Sequence, residues 1–179
     1  MRINHYIATL DACVLAPMPV ADTLLRLAEE PSFYLPKWSR EILEETKRTL
    51  ARFGYTEPQI TYRIDRMTAA FPDALITGYE GLIDAMKNDE KDRHVLACAV
   101  RSNSHAIVTS NKKHFPEEAL KPYELECMTP DDFLVHQYHL DTDVIGVIIS
   151  QAAKINRSPS ELLASLQKHV PTLASYINL

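Results

Sequence analysis

A chain of 179 residues, 46% of them hydrophobic, can bury one sizeable core and is most simply one domain with an appendage. Its formal charge of −5 argues against broad adhesion to nucleic acid, so any nucleic-acid site has to be local. Cys13, Cys98 and Cys127 are an odd number in apolar runs without metal-ligand spacing, no secretory order opens the chain, and no apolar run nears the roughly 18 residues of a membrane span; reduced thiols in a cytoplasmic protein are expected.

Strand-like and helix-like patterns alternate along the chain, which predicts an α/β fold with a mainly parallel sheet. Tyr6 to Leu10 reads as the first strand, closed by Asp11. A helix over 21–30 and a short extended piece over 33–36 follow. An amphipathic helix is predicted over 38–53 and another over 57–70. A strand over 74–77, a helix over 92–103, and strands over 106–109 and 125–128 complete the alternating unit. Thr129-Pro130-Asp131-Asp132 supplies an N-cap, a first-turn proline and acids suited to the helix dipole, and Ser158-Pro159-Ser160-Glu161 is a capping box. Helical patterns over 144–155 and 162–170 flank that second cap. The chain thus divides into an α/β unit, residues 1–140, and a C-terminal helical extension, residues 141–179.

Several acids sit at element boundaries. At about 100° per residue, Ile42, Leu43, Thr46, Leu50 and Phe53 share one side of the helix from Trp38. Glu45 lies at the edge of that face, whereas Glu41 and Glu44 point further toward solvent. The same acids also read as a solvated face, with Glu44 supporting Arg48 at four-residue spacing. In the later helix, Asp92 points with Val95, Leu96 and Ala99. It reads equally as a helix cap or as a ligand, and Asp89 as the cap would free it for the crevice. Asp11 stands at the carboxyl end of a parallel strand, where open sheets place their ligands. Converging carboxylates repel one another and are costly to bury, and a hard divalent cation, Mg2+ or Mn2+, resolves the conflict. His136 and His139 form an HxxH pair without nearby partner ligands, so zinc is not expected.

Four segments taken in order resemble the PIN-domain ribonucleases, a family that includes the toxins of VapBC-type toxin–antitoxin systems. They are Thr9-Leu10-Asp11-Ala12-Cys13, Trp38 to Glu45 with its glutamates, Asp89-Glu90-Lys91-Asp92-Arg93-His94, and Val108-Thr109-Ser110-Asn111-Lys112-Lys113-His114-Phe115. The resemblance implies a three-layer α/β/α domain. It assigns Asp11, Glu45 and Asp92 to catalysis and metal binding, with Asp89 as a further metal ligand. Thr109, Asn111, His114, Arg93 and Lys112 become auxiliary or substrate-binding residues. Many relatives carry another acid where Asn111 or His114 stands, and this chain has neither. The implied activity is metal-dependent cleavage of RNA, single-stranded or looped, by the toxin of a type II toxin–antitoxin pair. The implied partners are a small antitoxin and, through the C-terminal helices, a second copy of the chain. The competing expectation is a catalytically weak PIN fold that binds RNA or protein. A dehalogenase-like phosphotransferase fails because Cys13 stands where its second acid is required, and a phospho-receiver domain fails on the order of its acids.

Overall fold

The computed structural model describes residues 6–177; the outer ends of the two expected units, residues 1–5 and 178–179, lie outside them. Five parallel strands form one sheet in the order β3-β2-β1-β4-β5. They are β1 (Ile7–Leu10), β2 (Leu35–Ser39), β3 (Leu75–Ile76), β4 (Ala106–Val108) and β5 (Glu126–Met128). Helices are α1 (Ala12–Leu15), α2 (Val20–Ala28), α3 (Arg40–Arg52), α4 (Glu57–Ala70), α5 (Arg93–Arg101), α6 (Glu117–Leu120), α7 (Pro130–Leu140), α8 (Val144–Lys154), α9 (Pro159–Leu166) and α10 (Pro171–Tyr176). Together they make a three-layer α/β/α architecture. The strand order reverses direction between β1 and β4, so the crevice at a topological switch point opens beyond Leu10 and Val108.

Strands β1 and β4 are covered on both faces, because helices pack on each side of a parallel sheet. Ala8, Thr9 and Leu10 in β1 and all three residues of β4 are fully buried. Thr9 is tolerated there because its hydroxyl pairs with that of Ser104 at 2.8 Å. Leu10, Ile42 and Leu96, also fully buried, each contribute roughly 1.5–3 kcal/mol relative to exposure. Helix α5 packs against β1, β2 and β4 and is buried continuously from His94 to Ala99.

Two expected boundaries move for identifiable reasons. Trp38 and Ser39 are strand rather than helix: Trp38 donates its N–H to Ala74 O at 3.0 Å and pairs with Leu75, while the Ser39 hydroxyl caps α3 by accepting the Ile42 N–H at 3.1 Å. Asp92 belongs to a 3-10 turn, Glu90–Asp92, and α5 starts after it. The capped starts of α7 and α9 lie where their Thr129 and Ser158 signatures predict. By contrast α9 ends at Leu166, and the short α10 has no counterpart in the sequence reading.

Helix α1 is only four residues long and begins directly after Asp11. Its far end is held by Arg63 of α4, whose guanidinium donates to Ala16 O at 3.0 Å and Leu15 O at 2.5 Å. Beyond the sheet, α8 packs on α2 and α10 on α7. Val144, Ile148, Leu162, Leu166, Val170 and Leu173 are buried in the same apolar cluster as the strands. No helix among the described residues is long and apolar enough to cross a membrane.

Candidate metal centre

The first anchor is Asp11. Its backbone N–H bonds Val108 O at 3.1 Å, which fixes the carboxylate between the ends of β1 and β4. The side chain is 3% exposed, and its Oδ2 accepts the Thr109 hydroxyl at 2.7 Å and the Cys13 thiol at 3.1 Å. Burial and the neighbouring Asp11 charge push the Cys13 thiol up to about 12, so it stays a neutral donor. Thr109 is itself fixed, its N–H on Met128 O at 3.0 Å and its hydroxyl also accepting the Asn111 N–H at 3.0 Å. Thr109 therefore orients Asp11, and Asn111 sits one turn further on as the cap of a 3-10 turn, Lys112–His114.

That turn meets the acidic turn ahead of α5 through the main chain. Asp89 donates its N–H to His114 O at 3.1 Å, and Asp92 donates its own to Asp89 O at 3.0 Å. The Asp89 carboxylate accepts the Lys91 N–H at 3.1 Å, whereas Asp92 makes no side-chain cap bond. Its Oδ2 instead lies 2.5 Å from Nδ1 of His114. Asp89, Asp92 and His114 offer donor atoms that all fall within 4.8 Å of one another. Burial raises the Asp92 carboxyl above the usual aspartate value, and the charges of Asp11 and Asp89 add to it against the opposing His114 hydrogen bond.

Glu45 approaches from α3 and is half-buried, at 31% side-chain exposure against 47% for Glu41. Between these two stands His94, 4% exposed, a residue the sequence reading quoted but did not single out. Its Nε2 is 3.4 Å from Glu45 Oε2, and its Nδ1 is 3.8 Å from Glu41 Oε2. Neither contact has hydrogen-bond geometry, so charge rather than a directed bond holds the ring. Burial works against the imidazolium, but Glu45, Glu41 and Asp11 outweigh it, and the His94 value is raised. Glu45 also lies 3.8 Å from Arg48.

The expected residues thus form two adjoining groups. Asp89, Asp92 and His114 make one tight cluster; Asp11 and Glu45 lie outside that cluster, each facing His94 electrostatically. Lys112 turns aside to Asp132 at 3.5 Å, and Arg93 is half-buried with its Nε unpartnered. His136 and His139 pack on aromatic rings, with centroids 5.8 Å from Tyr6 and 5.1 Å from Tyr176. His94 was missed because a wheel that treats Asp92 as helical places it about 200° away at about 100° per residue. Helix α5 is instead buried all along from His94 to Ala99, so a one-sided wheel does not mark which of its residues face inward. Carboxylate oxygens with one imidazole are a chemically suitable donor set for a divalent cation.

A parallel sheet with an acid at its switch point and an acidic turn before the central helix defines a class. The family model described as PIN domain matches residues 8–113, and the chain belongs to the PIN domain family. It is similar to the “Putative ribonuclease VapC50” of Mycobacterium tuberculosis, at 45% identity over 112 residues, covering 58% of this chain and 66% of that protein. The match therefore spans slightly under two thirds of the relative. No solved structure matches the chain.

Proposed function

We propose that the protein is a Mg2+- or Mn2+-dependent endoribonuclease and the toxin of a type II toxin–antitoxin system. The observation that carries this reading is the gathering of Asp89, Asp92 and His114 beside Asp11 at the switch point of a PIN-domain chain. Asp11, Glu45, Asp89 and Asp92 would hold the cation, with His114 and Asn111 on the opposing turn. A bound divalent cation supplies an activated water and neutralises charge developing on the phosphoryl oxygens. Thr109 and Cys13 keep the Asp11 carboxylate aimed by donating to one of its oxygens. Nε2 of His94 lies 3.4 Å from Glu45 Oε2, and that proximity favours the imidazolium form of His94. Arg93, and Lys112 where Asp132 does not neutralise it, would add local positive potential for the RNA backbone.

The substrate fitting this reading is single-stranded or looped RNA, whose backbone reaches a shallow acidic cleft more readily than a regular duplex does. The named relative, a putative ribonuclease, supports the RNA assignment, and a small antitoxin as partner follows from the resemblance to VapBC-type toxins. The cytoplasm is the matching location. The nuclease unit is residues 1–140, with residues 141–179 as a helical extension that shapes the partner surface or a homodimer.

A second reading, a weakly catalytic module that binds RNA or protein, is favoured by one observation: His114 and Asn111 bring no acid to the late turn. Asp11→Asn and Asp92→Asn should each abolish Mg2+- or Mn2+-dependent RNA cleavage while leaving the circular dichroism of the fold intact. Full cleavage by both folded variants would sink the catalytic assignment. RNA binding without metal-dependent turnover in the wild type would select the second reading.

A further inference from the structure

Resting on the metal reading above, we infer that His114 is a ligand-shell nitrogen that makes this site select a first-row transition cation, with Mn2+ as its mildest member, over Mg2+. The placement is fixed by the backbone. The His114 N–H closes its own turn on Asn111 O at 2.9 Å, and its carbonyl accepts the Asp89 N–H at 3.1 Å, which ties the acidic turn to the histidine turn. Asp92 then holds the imidazole through Nδ1 at 2.5 Å. The ring is about one-quarter exposed, at 28%, and Asp92 is 15% exposed; the pair faces the crevice without being sealed from it.

The donor set decides the preference. Mg2+ demands near-ideal octahedral oxygen coordination and dehydrates reluctantly, whereas first-row cations accept imidazole together with carboxylate. An all-carboxylate group would suit Mg2+ and Mn2+ alike. Replacing one carboxylate by imidazole removes a negative charge that Mg2+ binding relies on and adds a softer donor that it uses poorly. Of the other soft donors near the site, the Cys13 thiol donates to Asp11, and the His94 nitrogens lie nearest Glu45 and Glu41, outside the cluster that His114 joins.

The test is direct cation binding without substrate. Calorimetric titration of full-length protein with MnCl2 and with MgCl2 should give tighter Mn2+ binding. In His114→Ala the Mn2+ affinity should fall about tenfold or more, the size typical of losing a group that holds or orients a ligand, while Mg2+ affinity changes less. In His114→Asp the preference for Mn2+ over Mg2+ should shrink. Electron spin-echo spectra of the Mn2+-loaded wild type should carry nitrogen modulation that is absent from His114→Ala. Mn2+ that binds the wild type without nitrogen modulation, or modulation that survives in His114→Ala, overturns the inference while leaving the metal reading intact. An unchanged Mn2+-to-Mg2+ ratio in His114→Asp does the same. If neither cation binds the wild type, the metal reading itself falls. The wild-type spectrum decides the nitrogen question even where a variant fails to fold.

Discussion

At the scale of single residues, His94 and Asp92 couple the site to stability in a pH-dependent way. His94 is raised in the fold, so the stabilisation it brings is fully present below its unfolded value of about 6.5 and is lost as pH rises through the higher folded value. Thermal unfolding of the wild type should therefore decline across that window, and His94→Gln should flatten the profile there. An unaltered profile in the folded variant would refute the role. Asp92 acts in the same direction at lower pH, since its folded value is raised as well. Its charge at neutral pH is a cost, and Asp92→Asn should melt higher than the wild type at pH 7 even as it loses cleavage. Asp11 was legible because a strand-end acid follows from strand periodicity and its boundary alone. The partnership of His114 with Asp92 was not, since it depends on two turns brought together across 22 residues.

At the scale of elements, the cap on α3 decides where Glu41 and Glu45 point. Ser39 is fully buried and its hydroxyl accepts the Ile42 N–H. Ser39→Ala should cost about 1 kcal/mol, up to about 2, in chemical denaturation, with Ser39→Thr recovering most of it. A stability change near zero would show that the hydroxyl does not cap α3. The amphipathic pattern identified this helix correctly but ran on through Trp38, because an apolar residue ahead of a helix fits the wheel as well as it fits a strand. The sheet overrides the wheel, since Trp38 N–H bonds Ala74 O. Strand β3, only two residues long, and helix α10, only six, lie near the limit of what periodicity can resolve. The N-cap at Thr129 and the capping box at Ser158 were readable because their chemistry is local.

At the scale of the molecule, the C-terminal helices are docked through a buried polar clasp as well as apolar contacts. The Thr23 hydroxyl of α2 donates to Gln151 Oε1 of α8 at 2.7 Å, and Gln151 Nε2 donates to Pro19 O at 3.3 Å. Gln151→Leu removes both bonds of the clasp and leaves the Thr23 hydroxyl only its longer bond to Pro19 O at 3.3 Å, which should cost about 0.5–1.5 kcal/mol by urea unfolding. A change below a few tenths would show that the clasp does not hold the extension. Composition and order foretold the sheet and the extra helices, but not this attachment. A glutamine within an apolar helix carries no sequence mark of its partner 128 residues away.

The guanidinium of Arg63 reaches from α4 to the end of α1, the four-residue helix that starts where Asp11 ends. Two stretches far apart in the chain, 12–16 and 57–70, are therefore tied through one side chain. A chimera that takes α4 from a relative lacking this arginine leaves the Leu15 and Ala16 carbonyls without those donors at the far end of α1. A graft that carries both stretches together keeps them.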